Sequence, residues 1–338
     1  GITMNKLLAP HIRTEDRSRS MLNDVLLSAI ALCVFSVVNY GLRPAILMTV
    51  SMLSAILTEW ICLLFQRKSG KAALDGSAAV TGAIVALVMP PMVSYWVPML
   101  GSCFAILVAK VPFGGYGRNV FNPAAAGIAV LSYCFPRRVF SYSALSAADK
   151  LPLSWEIAST KVVTETSLAA QLRSGATPTV TRMQLLLGDF AGPIGATATL
   201  ILIACAAYLL CRRSASPYLM IPYLITCCLL AWMIPYTGTG RVYGAMAQMC
   251  SGYVLFTGVF LLNDPVTTPR FRLGRIFYGV FTGVLVMLLQ HIGRVEAGSC
   301  FAILIMNVLA PIIDRWSWHI WRYITQLLRI RQEVNAHE

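Results

Sequence analysis

"MLNDVLLSAIALCVFSVVNY", residues 21–40, decides the fold class: it carries one carboxylate, Asp24, close to its start and no lysine or arginine at all. A helix rises 1.5 Å per residue, so a run of about 20 apolar residues spans the hydrocarbon core of a bilayer. Further apolar runs follow at 44–65, 78–95, 97–111, 123–135, 194–210, 218–235, 242–262, 275–290 and 299–313. Hydrophobic residues make up 57% of the chain and charged residues 12%, roughly half the charged share of a soluble domain. The expectation is an all-α integral membrane protein of about ten transmembrane helices arranged in two related halves. The run at 123–135 is short and opens on Pro123, so it reads as a half-helix or re-entrant segment packed inside protein.

These runs divide the chain into an N-terminal segment, 1–20; a first membrane half, 21–135; a long loop, 136–193; a second membrane half, 194–314; and a C-terminal tail, 315–338. Basic residues orient it. If the N-terminus is inside, the inner segments hold most of the 27 lysines and arginines, including Arg67, Lys68, Lys71, Lys110, Arg118, Arg212, Arg213, Arg270, Arg272, Arg275, Arg315 and Arg322. The short outer loops then hold only Arg43, Arg241 and Arg294. The positive-inside rule therefore places both termini in the cytoplasm and the loop 136–193 on the outer face of the membrane. The polar first 20 residues do not read as a cleavable signal peptide, and the first helix is expected to act as its own insertion signal.

The heptapeptide "GSCFAIL" occurs at 101–107 and again at 298–304, and the same offset roughly superposes several other apolar runs. That suggests a duplication whose copies share one orientation, whereas two five-crossing halves would be inverted. The net charge of +13 is scattered between apolar runs instead of forming one stripe, which argues against nucleic acid. The ten cysteines lie within or at the ends of apolar runs with no C-x-x-C pair, and His11, His291, His319 and His337 are unpaired in spacing. No metal site is expected, and no hydrolytic set is visible.

Three polar passages interrupt the oil. "FGGYGRNVFNPAAAG", 113–127, reads as a tight turn whose asparagines cap the next helix, or as a backbone cradle for a ligand. "LLNDPVTTPRFRLGR", 261–275, reads as caps plus an interface anchor, with Asn263 and Asp264 ending one helix. Asp24, Glu59, Asp75 and Asp314 also lie near helix ends, where water is expected to be close. The third passage, "RSGATPTV" at 173–180, falls in the long loop and by composition alone is a flexible linker. On residues alone the chain fits a transporter, a channel or the membrane subunit of a larger assembly.

Read together, several passages resemble the RnfD/NqrB family: "APHIRTEDRSRSMLNDVLLS" at 9–28, "LDGSAAVTGAIVALVMPP" at 74–91, "FGGYGRNVFNPAAAGIAVL" at 113–131 and "SGATP" at 174–178. To these are added "GPIGATATL" at 192–200, "LLNDPVTTPRFRLGRIFYG" at 261–279 and "FAILIMNVLAPIIDRW" at 301–316. The length suits the RnfD branch, part of the Rnf ion-translocating electron-transport complex, better than the NqrB branch of the sodium-pumping NADH:quinone reductase.

The resemblance implies FMN joined by a phosphodiester to the hydroxyl of Thr177 in an S-G-A-T motif formed with Ser174, Gly175 and Ala176. It implies a flavin transferase as maturation partner, and Arg173 and Arg182 stand close enough in sequence to partner the phosphate. A second, noncovalent riboflavin among the helices belongs to the same expectation. The implied role is an electron relay within a translocase that moves electrons between ferredoxin and NAD and couples this to Na+ or H+ transport. The chain would not be catalytic alone. It would sit among the other subunits and lipid of a bacterial inner membrane. Three positions depart from the family pattern: Gln171 where an aspartate is usual, Val120 where proline is frequent and Ala196 where glutamate is frequent. The alternatives are an NqrB-like subunit or a small-solute channel of urea-channel-like architecture.

Overall fold

Apolar runs set the helices and prolines set where they stop. A computed structural model describes residues 11–67, 75–143, 164–165, 167–175, 178, 180–236, 240–251, 253–292 and 296–335. The first half holds α1 (His11–Tyr40), α2 (Arg43–Phe65), α3 (Ser77–Leu87), α4 (Trp96–Phe104) and α5 (Pro123–Cys134). A π turn, Ala105–Lys110, and a 3-10 turn, Val111–Phe113, prolong α4. The connector holds α6 (Pro136–Val139), α7 (Leu168–Ser174) and α8 (Arg182–Leu187), with β1 (Tyr142–Ser143) antiparallel to β2 (Thr164–Glu165). The second half holds α9 (Thr199–Cys211), α10 (Pro217–Met233), α11 (Arg241–Cys250), α12 (Tyr253–Phe256, prolonged as a π turn Thr257–Leu261), α13 (Arg272–His291) and α14 (Gly298–Asn335).

Among the described residues, five helical stretches are long and apolar enough to cross a membrane: Ser18–Tyr40, Arg43–Phe65, Trp96–Phe113, Arg272–His291 and Gly298–Tyr323. Arg241–Cys250 and Tyr253–Leu261 make a sixth if they are taken as one span bent by 57°. The helices α3, α5, α9 and α10 are apolar but shorter. This is a multi-pass helical membrane protein. Several sequence boundaries move. The run 78–95 is helical only to Leu87, because Pro90 and Pro91 cannot continue the ladder. The run from 194 turns helical only at Thr199. The tail expected at 315–338 is a continuation of α14 as far as Asn335, and α1 begins ten residues before the expected first membrane residue.

The non-helical stretch before α9 is buried, so its backbone needs partners. Ile194 and Gly195 N–H donate to Met89 O (3.0 Å) and Leu87 O (2.6 Å), which caps the last turn of α3. Ser36 Oγ donates to Ile194 O at 2.6 Å. Helices approach closely where they lack Cβ atoms: a methyl on Gly82 of α3 would meet Ser51 O of α2 at 2.7 Å, and one on Gly279 of α13 would meet Leu219 O of α10 at 2.6 Å. Ser51 uses that approach to donate to Gly82 O at 2.7 Å.

Neighbour relations repeat in the two halves. In the first, α2 packs on α3 and α4, α4 on α5, and α1 on α3; in the second, α10 packs on α11 and α13, α13 on α14, and α9 on α12. The five-element order thus matches α1–α5 with α9, α10, the bent α11–α12, α13 and α14. Polar contacts show the ends alternating. Asp24, near the start of the apolar span Ser18–Tyr40 of α1, accepts from Ser214 and Arg212 just after α9, while Asn122 at the start of α5 donates to Leu261 O at the end of α12. On the opposite face, Arg43 at the start of α2 donates to Val93 O, and Ser36 reaches the segment preceding α9. Helix α1 therefore runs from the face where α9 ends. The two "GSCFAIL" copies do not mark equivalent helices: Gly101 lies inside α4, whose counterpart is α13, while Gly298 opens α14.

Candidate functional site

The polar stretch in the connector is framed by two short helices. Ser167 caps α7 by accepting from Ala170 N–H at 3.0 Å, and Gly175 ends it with φ +77°, a left-handed conformation that glycine adopts without strain. Thr181 starts α8 through a capping box with Gln184. Ser174 is exposed, its Oγ donating to Gln171 O at 2.8 Å, and Arg182 is exposed as well. Ala176 and Thr177 lie outside the described residues. Among the described flanks Arg173, Gly175, Pro178 and Val180 are half-buried. Glycine at 175 adds no bulk beside a phosphodiester, so this neighbourhood fits an attached FMN.

Arg173 does not face water freely. Its Nη2 donates to Glu296 Oε2 at 3.1 Å, with 13% of the arginine and 6% of the glutamate side chain exposed. Glu296 lies in the turn between α13 and α14. Burial pushes its carboxyl above the ordinary glutamate value, against the opposing pull of the Arg173 charge and hydrogen bonds from Ser167 and Arg173. Tyr142 of β1 and Tyr253 at the start of α12 lie against it. Glu296 Oε1, both phenol oxygens and Ser299 Oγ are buried here without a hydrogen bond of ordinary geometry. On the other side of the stretch, Tyr243 of α11 donates through its hydroxyl to Val180 O at 2.5 Å. Between these contacts Leu168, Leu172, Leu185, Phe190, Ala247 and Cys250 form a small apolar core that seats α7 and α8 on α11.

A second polar centre lies at the opposite face, inside the first half. Lys110 Nζ contacts Glu59 Oε1 at 2.6 Å and Oε2 at 2.7 Å, and donates to Ser77 Oγ at 2.6 Å. Ser77 Oγ in turn donates to Asp75 Oδ1 at 2.5 Å. Lys110 is 1% and Glu59 4% exposed, and Asp24 is 5% exposed beneath Ser214, Tyr208 and Arg212. The expectation that carboxylates near helix ends stay close to water is overturned for Glu59 and Asp24, which are buried and paired. Lys110, counted by sequence among inner-loop cations, belongs to the membrane helix.

The asparagine-rich turn performs the capping expected of it. Asn122 Oδ1 accepts from Ala125 N–H at 3.1 Å, and its Nδ2 also donates to Leu261 O at 2.9 Å, joining the two halves. Asn307 accepts from Asn122 N–H at 3.0 Å and donates to Tyr278 Oη at 3.0 Å. Asp264 Oδ1 accepts from Val266 N–H at 3.0 Å; burial raises its carboxyl above the usual range, and the Tyr116 phenol opposite is pushed up to about 12. A cavity of about 80 Å³ lies among Ser77, Lys110, Tyr116, Asn119, Asn122 and Asp264. Beside it a cleft of about 610 Å³ opens among Asn119, Thr267, Asn307, Asp314, Trp318 and His319.

Sequence reading missed Glu296 and the pairing of Lys110. Lys110 had a visible signal, an ionisable residue inside the apolar run 97–111. Glu296 had none, since its partner stands 123 positions away.

Comparison with known proteins agrees with the resemblance seen in the passages. The sequence model described as the NQR2, RnfD, RnfE family matches residues 6–319. The D subunit of the proton-translocating ferredoxin:NAD(+) oxidoreductase complex of Clostridium ljungdahlii is 27% identical over 313 residues, covering 91% of this chain and 93% of its own. The D subunit of the ion-translocating oxidoreductase complex of Escherichia coli strain K12 is 26% identical over 338 residues, covering 91% of this chain and 95% of its own.

Proposed function

Because the chain belongs to the NQR2, RnfD, RnfE family, we propose that it is the D-type membrane subunit of an ion-translocating oxidoreductase complex, with FMN held covalently on Thr177. The observation that carries the reading is the family match along residues 6–319, which spans both membrane halves and the S-G-A-T stretch between them. Nearly full-length coverage of the two D-type relatives favours this branch over a solute channel or an NqrB-like protein. The chain acts in a translocase whose partner subunits supply the ferredoxin and nucleotide sites, and not as a catalyst alone. An attached flavin would supply one- and two-electron chemistry; the chain's own part is to anchor the flavin and hold it in register with neighbouring carriers.

Five long helices, the bent pair and four shorter helices make up the ten passes of this reading. The side of the membrane follows from charge: Arg212, Arg213, Arg270, Arg272, Arg275 and Arg315 gather on the face where α1 begins, which is then cytoplasmic. The connector with Thr177 is accordingly on the outer side of the bacterial inner membrane. Exposed Trp316, Trp321 and Tyr323 on α14, with Arg322 over the Trp318 ring at 4.6 Å, suit a membrane–water interface on the cytoplasmic side. A noncovalent riboflavin belongs to the same proposal; the 610 Å³ cleft near Asn119 and Asn307 has the volume of a small-molecule site, whereas the 80 Å³ cavity holds little beyond water.

The test is flavin fluorescence on a denaturing gel, with the protein made alongside an active flavin transferase. The wild-type band fluoresces and a Thr177→Ala band does not. Fluorescence that survives in Thr177→Ala refutes the attachment site, and a dark wild-type band refutes the covalent flavin. Gln171, the departure from the motif, lies in α7 three residues before Ser174.

A further inference from the structure

Among the described residues, eight buried side-chain polar atoms lack a hydrogen bond of ordinary geometry, and three of them adjoin one another: Glu296 Oε1, Tyr142 Oη and Tyr253 Oη. A fourth, Ser299 Oγ, stands three residues beyond Glu296. Buried polar atoms are nearly always paired, so a group of unpaired ones marks a place where something is held or exchanged. Separate elements converge there: Tyr142 comes from β1, Tyr253 opens α12, and Glu296 lies in the turn before α14. Both tyrosines are fully buried, and Glu296 is 7% exposed. The Tyr142 hydroxyl faces both the Glu296 carboxyl and the Tyr253 hydroxyl, so a carboxyl and two phenols stand in a row. The row begins beside Arg173, whose half-buried guanidinium holds Glu296 Oε2 at 3.1 Å, and it ends at the first residue of α12.

We propose that Glu296 is a proton-exchange site on the connector side of this chain, with Tyr142 and Tyr253 extending it toward α12. The proposal rests on the reading of the chain as a translocase subunit. The groups present support two states. In the charged state the carboxylate accepts from Arg173 and Ser167 on one side and from the Tyr142 hydroxyl on the other. In the neutral state Oε1 carries the proton and donates to Tyr142 Oη, whose own proton turns toward Tyr253. A phenol serves in both states because its hydroxyl donates, accepts and rotates. Burial favours the neutral carboxyl and the Arg173 charge favours the ionised one, so neither state is locked. Uptake forms the Oε1–H bond; release breaks it, gives the proton to water beside Arg173 and leaves the carboxylate facing the guanidinium. Glu59 offers no such exchange, because all three N–H groups of the Lys110 ammonium beside it are engaged. The charged and titratable groups around Glu296 are Arg173 of α7, Tyr142 of β1 and Tyr253 of α12, with Cys300 of α14 against Tyr253. Arg294, two positions earlier, lies outside the described residues.

The experiment uses the full chain in its assembled complex and records infrared difference spectra across a pH titration, comparing wild type with Glu296→Gln and Tyr142→Phe. Wild type should show the C=O stretch of a protonated carboxyl that fades as pH rises from the ordinary glutamate value of about 4.3 toward neutrality, and Glu296→Gln should lack it. Tyr142→Phe should keep the band, shift its frequency and move its midpoint to higher pH, because the ionised carboxylate loses a donor. A tyrosine that only packs leaves the midpoint in place, so this variant carries the test if the glutamine variant fails to assemble. Replacing sodium with choline should leave the midpoint unchanged; a sodium-dependent midpoint overturns the proton as the guest. In sealed vesicles holding the complex, Glu296→Gln should lower proton movement per electron several-fold. A wild-type carboxyl band that is missing at every pH, a band that survives in Glu296→Gln, or unchanged proton movement in that variant overturns the proposal. A wild-type chain without flavin defeats the subunit reading instead, while the infrared band still reports on the carboxyl.

Discussion

The two buried ion pairs differ in completeness. Glu59–Lys110 is closed: the ammonium meets both carboxylate oxygens and a serine hydroxyl, and every partner stands on or beside the first-half helices α2, α3 and α4. Arg173–Glu296 is open: one contact of 3.1 Å leaves Oε1 without an ordinary hydrogen bond and joins a short connector helix to a turn between membrane helices. A closed pair inside a helical scaffold satisfies its own charges and locks neighbouring helices. An open pair across a connector contributes little to stability, because the desolvation of its charges is only partly offset. The first centre ties helices within the membrane body, and the second ties the connector to that body.

The contrast is upset most severely at Lys110. Lys110→Ala leaves Glu59 buried and uncompensated, which costs about 3–5 kcal/mol and should abolish accumulation of folded protein, read by detergent-solubilised yield and thermal unfolding. The double variant Glu59→Gln, Lys110→Met removes both charges at similar volume and should recover most of that loss. A double variant as unstable as the single one would show that the pair is not a self-contained unit.

The effect at Glu296 is smaller and depends on pH. Its carboxyl titrates above the ordinary value because burial outweighs Arg173. Between the unfolded and folded values the native protein binds a proton that the unfolded chain releases, so the stability from this group is fully present below the unfolded value. It is lost as pH rises through the folded value. Thermal unfolding of wild type should therefore match Glu296→Gln in mild acid and fall below it as pH rises from about 4.3 toward neutrality. The opposite slope would mean that the pair stabilises the fold.

Much of this architecture is legible along the chain, and what is not has one physical cause. Hydropathy places a membrane helix to within a few residues where the apolar run is unbroken, as in Arg43–Phe65. It fails at 88–95, where Pro90 and Pro91 end α3, and at 194–198, where Ile194 and Gly195 N–H leave the helical ladder and find Met89 O and Leu87 O across the fold. The helix cap at Asn122 is readable because it is local, involving Ala125 three residues on. Its bond to Leu261 is not, and neither is Arg173–Glu296, since each joins residues more than a hundred positions apart. The internal heptapeptide misled for the same reason: identical letters in α4 and α14 reflect a shared preference for small residues at helix contacts, and the equivalent elements are set by packing order. The flavin stretch is legible only through family resemblance, because its composition alone is that of a linker.

The claim on which the account turns is a covalent bond at one hydroxyl. Trypsin cuts after Arg173 and Arg182, releasing the nonapeptide SGATPTVTR, residues 174–182. Mass analysis of that peptide from chain matured with a flavin transferase should show the mass of FMN less one water, with fragmentation placing it on Thr177 and not on Ser174, Thr179 or Thr181. An unmodified peptide, or a flavin placed on one of the other hydroxyls, would contradict the account.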